Sequence, residues 1–338
     1  MSPPPTLASE DAAGLDEERS KEYSLRRSER QRRRDHDSRT ALRFGTMRII
    51  LALICCIATT ACGGSRAPSG SSPELAAPTP RMLLAAAGTR PAEPLASLIG
   101  GGGDARPRVL VLSAGADTAS GPRAAADLRA AGAIATSIRL TRTMAESGQI
   151  PALLGGTDAV WLTGTNPLEL GAALGGTATA ATLERRVRAG MRVGGDGAGA
   201  GMLASVLITG GDVPPPRRRN ARQPADEGVA TAEGLGALTG TLIYAPAASN
   251  HKPDAIDSAL AAHPQLVGIQ LDSGAALLVQ SDGNWESVGS TDVLILVPEV
   301  AGADTVGAAT RRTRILSPGS RFDPRTRTLL PLRSVGSR

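Results

Sequence analysis

Large rings and lysine are nearly missing from these 338 residues: aromatics make up 2% of the chain, and lysine occurs as Lys21 and Lys252 alone. With so few rings there is no platform on which bases could stack. A core has to be assembled from alanine, valine, leucine and isoleucine, with Trp161 and Trp285 as its largest pieces. Cysteine is equally sparse. Cys55, Cys56 and Cys62 lie close together, which leaves the long remainder without a disulfide, a thiolate metal cluster or a thiol nucleophile. The sequence pI of about 9.7 would suit a polyanionic partner. The formal net charge is only +5, however, and its arginines form no helical stripe, so nucleic acid is not an expected partner. No cofactor and no metal are expected either.

What is present is ordered by segment. Residues 1–46 mix acidic and basic side chains with almost no apolar periodicity and cannot bury enough surface to fold, which makes them a disordered leader, with Met47 as the expected translation start. Residues 47–62, MRIILALICCIATTAC, have a short basic start, an apolar stretch from Ile49 to Ala58, and small residues before Cys62. This is the layout of a signal peptide, and it is shorter than the ~20 residues a spanning helix needs. The small residues ahead of Cys62 and the glycine after it resemble a bacterial lipoprotein box, with Thr59 in place of the usual aliphatic residue. Cys62 is therefore the expected lipidation site of an exported cell-envelope protein held at the membrane by a lipid anchor. Residues 63–96 read as a Gly/Ser/Pro-rich tether, and residues 97–338 as the folded domain.

Within that domain short apolar runs alternate with helical stretches. RVLVLSA, ATSIRL, DAVWLTG and MRVGG have the character of buried strands, while PRAAADLRAAGA and LERRVRAG have the helical period. Such alternation predicts an α/β fold with three layers, a mostly parallel sheet carrying helices on both faces. MLASVLITG is expected to be a further helix. GTLIYA, LVGIQLD, AALLVQ, WESVG and DVLILV follow as strands, and the Asp282-Gly283 pair predicts a hairpin, hence antiparallel strands toward the C-terminus.

LERRVRAGMRVGGDGAGAGMLASVLITGG runs from a strand through glycines into a helix, the layout of a nucleophile elbow. Together with DAVWLTGTNPLEL, GLGALTGTLIYAP, AAHPQLVGIQLDSGAAL and RTRILSPGSRFDP, it makes residues 98–332 resemble the cyanophycinase-like branch of peptidase family S51. That resemblance implies a class I glutamine amidotransferase-like, flavodoxin-like fold and cleavage of aspartyl peptide bonds by a Ser/His/acid triad. The triad positions are Gly197, Pro246 and Ser273, and the glutamine of the strand-loop motif is Pro167. A hydroxyl without an imidazole to take its proton is a poor nucleophile, and here the hydroxyl is missing too. The resemblance thus implies an inactive relative that retains a pocket for a peptide ligand, lined by Gly164, Thr165, Asn166 and Ala198.

Few other residues could supply the missing chemistry. Ser113, in SAGA after the strand VLVL, is the alternative nucleophile of an active hydrolase, and His251, in SNHKPD, is the alternative base. His263 reads as a helix-end histidine and Asp196 as a turn-capping aspartate. Gly195, Gly197 and Ala200 match a dinucleotide-binding spacing with no acidic strand end after it. LIGGGGD, residues 98–104, lacks the ending of a phosphate loop, and Arg217 to Arg219 sit in a solvated loop that would suit an acidic partner.

Overall fold

Side chains that alternate in direction along short strands divide this protein's interior into separate apolar layers. The computed structural model describes residues 79–100, 106–212, 229–247, 252, 254–299 and 311–331. The leader, the signal segment with Cys62, His251 and Arg217 to Arg219 lie outside the described residues. The strands are β1 (Pro80–Ala85), β2 (Arg108–Ala114), β3 (Ile134–Leu140), β4 (Ala159–Gly164), β5 (Arg192–Gly197), β6 (Ala204–Asp212), β7 (Val229–Glu233) and β8 (Leu238–Tyr244). They continue with β9 (Val267–Gln270), β10 (Ala276–Gln280), β11 (Trp285–Ser287), β12 (Val293–Pro298), β13 (Arg311–Leu316), β14 (Arg321–Asp323) and β15 (Thr328–Leu330). Between them run α1 (Ala92–Ile99), α2 (Ser120–Ala130), α3 (Arg142–Glu146), α4 (Gln149–Gly155), α5 (Pro167–Leu174), α6 (Ala178–Arg188), α7 (Ala198–Met202) and α8 (Ala255–Ala262).

Two sheets form where one was expected. A nine-stranded sheet has the order β15-β14-β11-β10-β1-β5-β4-β2-β3, parallel from β1 to β3 and antiparallel from β10 outward. A six-stranded sheet has the order β13-β12-β9-β8-β6-β7. The class stays α/β. In β1, Leu83 and Ala85 join Val111 and Trp161 against α1 and α2, whereas Met82 and Leu84 join Leu112 and Leu162 toward the second sheet. That inner layer also takes in Ile243, Ile269 and Ile295, so the two sheets share a core. Beyond the second sheet, Leu242 and Leu296 pack on Ile256 and Leu260 of α8.

Two sequence expectations are corrected here. MLASVLITG is not a helix, because from Ala204 it is β6, paired with β7 and β8. The β-branched Val206, Ile208 and Thr209 lose little in an extended chain, and the sheet supplies partners that a local pattern does not reveal. The tether does not reach residue 96, since β1 lies inside that span and α1 begins within it. Its RMLLAAAG core is shorter than the proline-rich flanks that disguised it. The Asp282-Gly283 hairpin does form, joining β10 to β11 with Leu277 opposite Ser287.

Candidate functional site

The glycine run is the place where the two sheets meet. β5 ends at Gly197 with φ 57 and ψ −123, and the chain turns directly into α7. This left-handed conformation is open to glycine and strained for other residues. The turn is held from behind by a close approach of backbones: a Cβ on Gly199 would stand 2.0 Å from the Leu162 carbonyl oxygen, so α7 rests on β4 with nothing between them. Gly164, at the end of β4, is in register with Gly197. Both strands therefore present their carboxyl ends to one crevice, the usual position of a site in a parallel sheet.

A cavity of about 690 Å³ opens there. Thr165, Asn166 and Pro167 line it after β4, Gly197 and Ala198 at the elbow, and Pro246 after β8. Gly164 backs the cavity through its pairing with Gly197 rather than lining it. The Asn166 side chain is engaged as the cap of α5, accepting from the Leu168 amide at 3.0 Å. Asp117 and Glu169 form an acidic wall. Asp117 Oδ1 accepts from the amides of Ala119 at 2.9 Å and Ser120 at 3.1 Å, and Glu169 Oε2 from that of Ala116 at 3.0 Å. Burial alone would raise the Asp117 pKa, but those amides and nearby Arg123 outweigh it and hold the carboxyl below its usual range. On the opposite wall the Tyr244 hydroxyl accepts from the Lys252 amide at 2.8 Å.

Several candidates stand elsewhere. Ser273 is exposed in the turn after β9 and does not line the cavity; its carbonyl accepts from Thr291 Oγ1 at 2.9 Å. Ser113 is buried in β2 under α2, where a Cβ on Gly121 would lie 2.8 Å from its hydroxyl oxygen, so the reading of Ser113 as a nucleophile is corrected. His263 closes α8 as expected, with Nε2 3.2 Å from Thr231 Oγ1. The dinucleotide spacing fails as well, because α7 leads into β6 of the other sheet.

Asp196 turned out to be more than a turn cap. Its side chain leaves β5 on the far side from the cavity and is buried, accepting from Trp161 Nε1 at 2.7 Å, the Gly88 amide at 3.0 Å and Arg90 Nη1 at 2.9 Å. Arg90 Nε reaches Asp127 Oδ2 at 2.6 Å as well. Burial works to lower the Arg90 pKa, but attraction to Asp196 and the hydrogen bonds to both aspartates overcome it and raise the value. Arg90 was missed by sequence reasoning because it lay inside the supposed tether, with no local pattern to mark it.

No family model matches the chain. It is 29% identical over 200 residues to the cyanophycinase of Nostoc sp., which covers 56% of this chain and 65% of that protein. The cyanophycinase of Trichormus variabilis gives the same figures, 29% over 200 residues with 56% and 65% covered. Among solved structures, that of a peptidase from an acI-B1 actinobacterium superposes with a TM-score of 0.52 at 19% identity, covering 72% of this chain and 96% of that one. Over those 200 residues the chain is similar to cyanophycinases. It spans 65% of the length of the two cyanophycinases. In this fold the elbow and the loop after β8 face one cavity, and the positions that the resemblance assigns to nucleophile and base hold Gly197 and Pro246.

Proposed function

We propose that this cyanophycinase-like protein is exported and binds peptides in the elbow cavity without cleaving them. The reading rests on one observation: the residue at the apex of the elbow, in the conformation that would aim a nucleophile into the cavity, is glycine. The base position beside it is Pro246, which carries no proton-accepting group. In a serine protease, loss of such groups leaves only about 10³ to 10⁴ of acceleration over water, supplied by binding and the oxyanion hole. The cavity itself has the size of a ligand site, for which roughly 300–1,000 Å³ is ordinary. An active hydrolase built on Ser113 is disfavoured by the burial of that hydroxyl beneath α2.

The full chain is expected to take no label from a serine-directed fluorophosphonate and to leave Asp-containing peptides intact, while the same peptides raise its melting temperature. Thr165→Trp, an exposed position on the cavity rim, should abolish that rise. Labelling or turnover that disappears with a point change in this chain would defeat the proposal. Export has its own measurement. Cys62→Ser should move the protein from the membrane fraction to the soluble fraction, and continued sedimentation with membranes would exclude the lipid anchor.

A further inference from the structure

β13 is the edge of the six-stranded sheet, and its side chains alternate. Leu316 points into the shared core opposite Val293, so Arg314 and Arg312 lie on the same inward face, opposite Ile295 and Val297. Two guanidiniums therefore flank a row where the neighbouring strand supplies only buried apolar side chains. The space beside them is open. A second cavity, of about 500 Å³, lies there, and the turn between β14 and β15 closes it with Thr326, Arg327 and Thr328. Arg327 holds a left-handed backbone at φ 60, the one non-glycine among the described residues to do so. Its Nη1 donates to the Pro298 carbonyl at 2.8 Å, which fastens the turn to the end of β12.

Charge in this cavity is unbalanced. Arg312 Nη2 is 2.8 Å from Glu299 Oε1, and Glu299 is the one carboxylate among the lining residues, against three guanidiniums. The Arg314 Nε–H is buried and has no acceptor. Arg186, Arg311 and Arg321 also carry a buried Nε–H without an acceptor, but of the four only Arg314 lines this cavity, beside two further guanidiniums, where an anion would satisfy it. Inward charges on an edge strand also discourage pairing with another chain, but that role needs neither a cavity nor a second strand turn bearing hydroxyls opposite the arginines. A planar guanidinium fork matches the oxygens of carboxylates and phosphates.

We propose that this cavity binds an oxyanion, the phosphate or carboxylate group of a small ligand, through Arg312, Arg314 and Arg327. The site is separate from the elbow cavity and does not depend on the reading given for it. The full chain would be titrated with inorganic pyrophosphate in one arm and succinate in the other, at constant ionic strength, following melting temperature and the Nε–Hε resonances of ¹⁵N-labelled arginine. Saturable stabilisation by at least one anion, with the Arg314 resonance moving, is expected, and the tighter arm identifies the source of the anion. Arg314→Gln should weaken binding about tenfold, the loss of one charge-assisted hydrogen bond. Arg312→Gln, at a side chain 59% exposed, should weaken it similarly without touching the core. No stabilisation beyond that of chloride, or unchanged binding by the Arg312→Gln variant, would overturn the proposal.

Discussion

Asp196→Ala is expected to destabilise the protein by about 3–5 kcal/mol, because it leaves the Arg90 guanidinium buried without its buried counter-charge, with only the half-exposed Asp127 as partner. Both side chains are nearly inaccessible, 4% exposed for Asp196 and 7% for Arg90, so water cannot replace what is lost. The substitution also strands Trp161 Nε1 and the Gly88 amide, each of which donates to the same carboxylate. At roughly 2–4 °C per kcal/mol for a domain of this size, the melting temperature should fall by about 6–20 °C. Arg90→Met tests the other half of the pair. The double variant should recover part of the combined loss but not all of it, since the two stranded donors remain. A loss below about 1 kcal/mol for Asp196→Ala would mean that this network contributes little.

The second large effect belongs to Gly199→Ala, where one methyl group is expected to cost at least about 4 kcal/mol or to prevent folding altogether. The added carbon would sit 2.0 Å from the Leu162 carbonyl oxygen and 2.7 Å from the Thr163 nitrogen, and backbone cannot step aside as a side-chain end can. Urea unfolding of Gly171→Ala provides the contrast. That glycine lies within α5 with nothing near its Cβ direction, so alanine there should stabilise by up to about 1 kcal/mol through helix propensity. Equal effects at the two positions would deny that α7 is pressed onto β4.

Where local pattern and tertiary environment agree, the sequence was readable. β2, β3 and β4 follow from their apolar runs, and the β10–β11 hairpin from Asp282-Gly283. β6 was not, because Met202 and Leu203 lead into it with helical spacing while the partners that make it a strand, β7 and β8, lie farther along the chain. The elbow was legible as a string of glycines, since few other residues tolerate the backbone at 197. Its support was not: Arg90 and Asp196 are 106 residues apart, and only the parallel pairing of β1 with β5 brings them together. The arginine cavity was invisible for a similar reason, being formed by a strand of one sheet and a turn of the other.

The position of β1 has a kinetic consequence. Leu83 pairs with Gly194 on one side and with Leu278 on the other, so the earliest strand of the sheet occupies its middle and joins the parallel half to the antiparallel half. Neither seam can close until its own later strand, β5 for one and β10 for the other, has been made, and closing them over such separations is slow compared with forming neighbouring hairpins. During synthesis, and during any passage through a membrane, a short apolar segment must wait unpaired beside its proline-rich flanks. Trimming those flanks too far would leave two incomplete sheets with raw edges, each open to pairing with another copy.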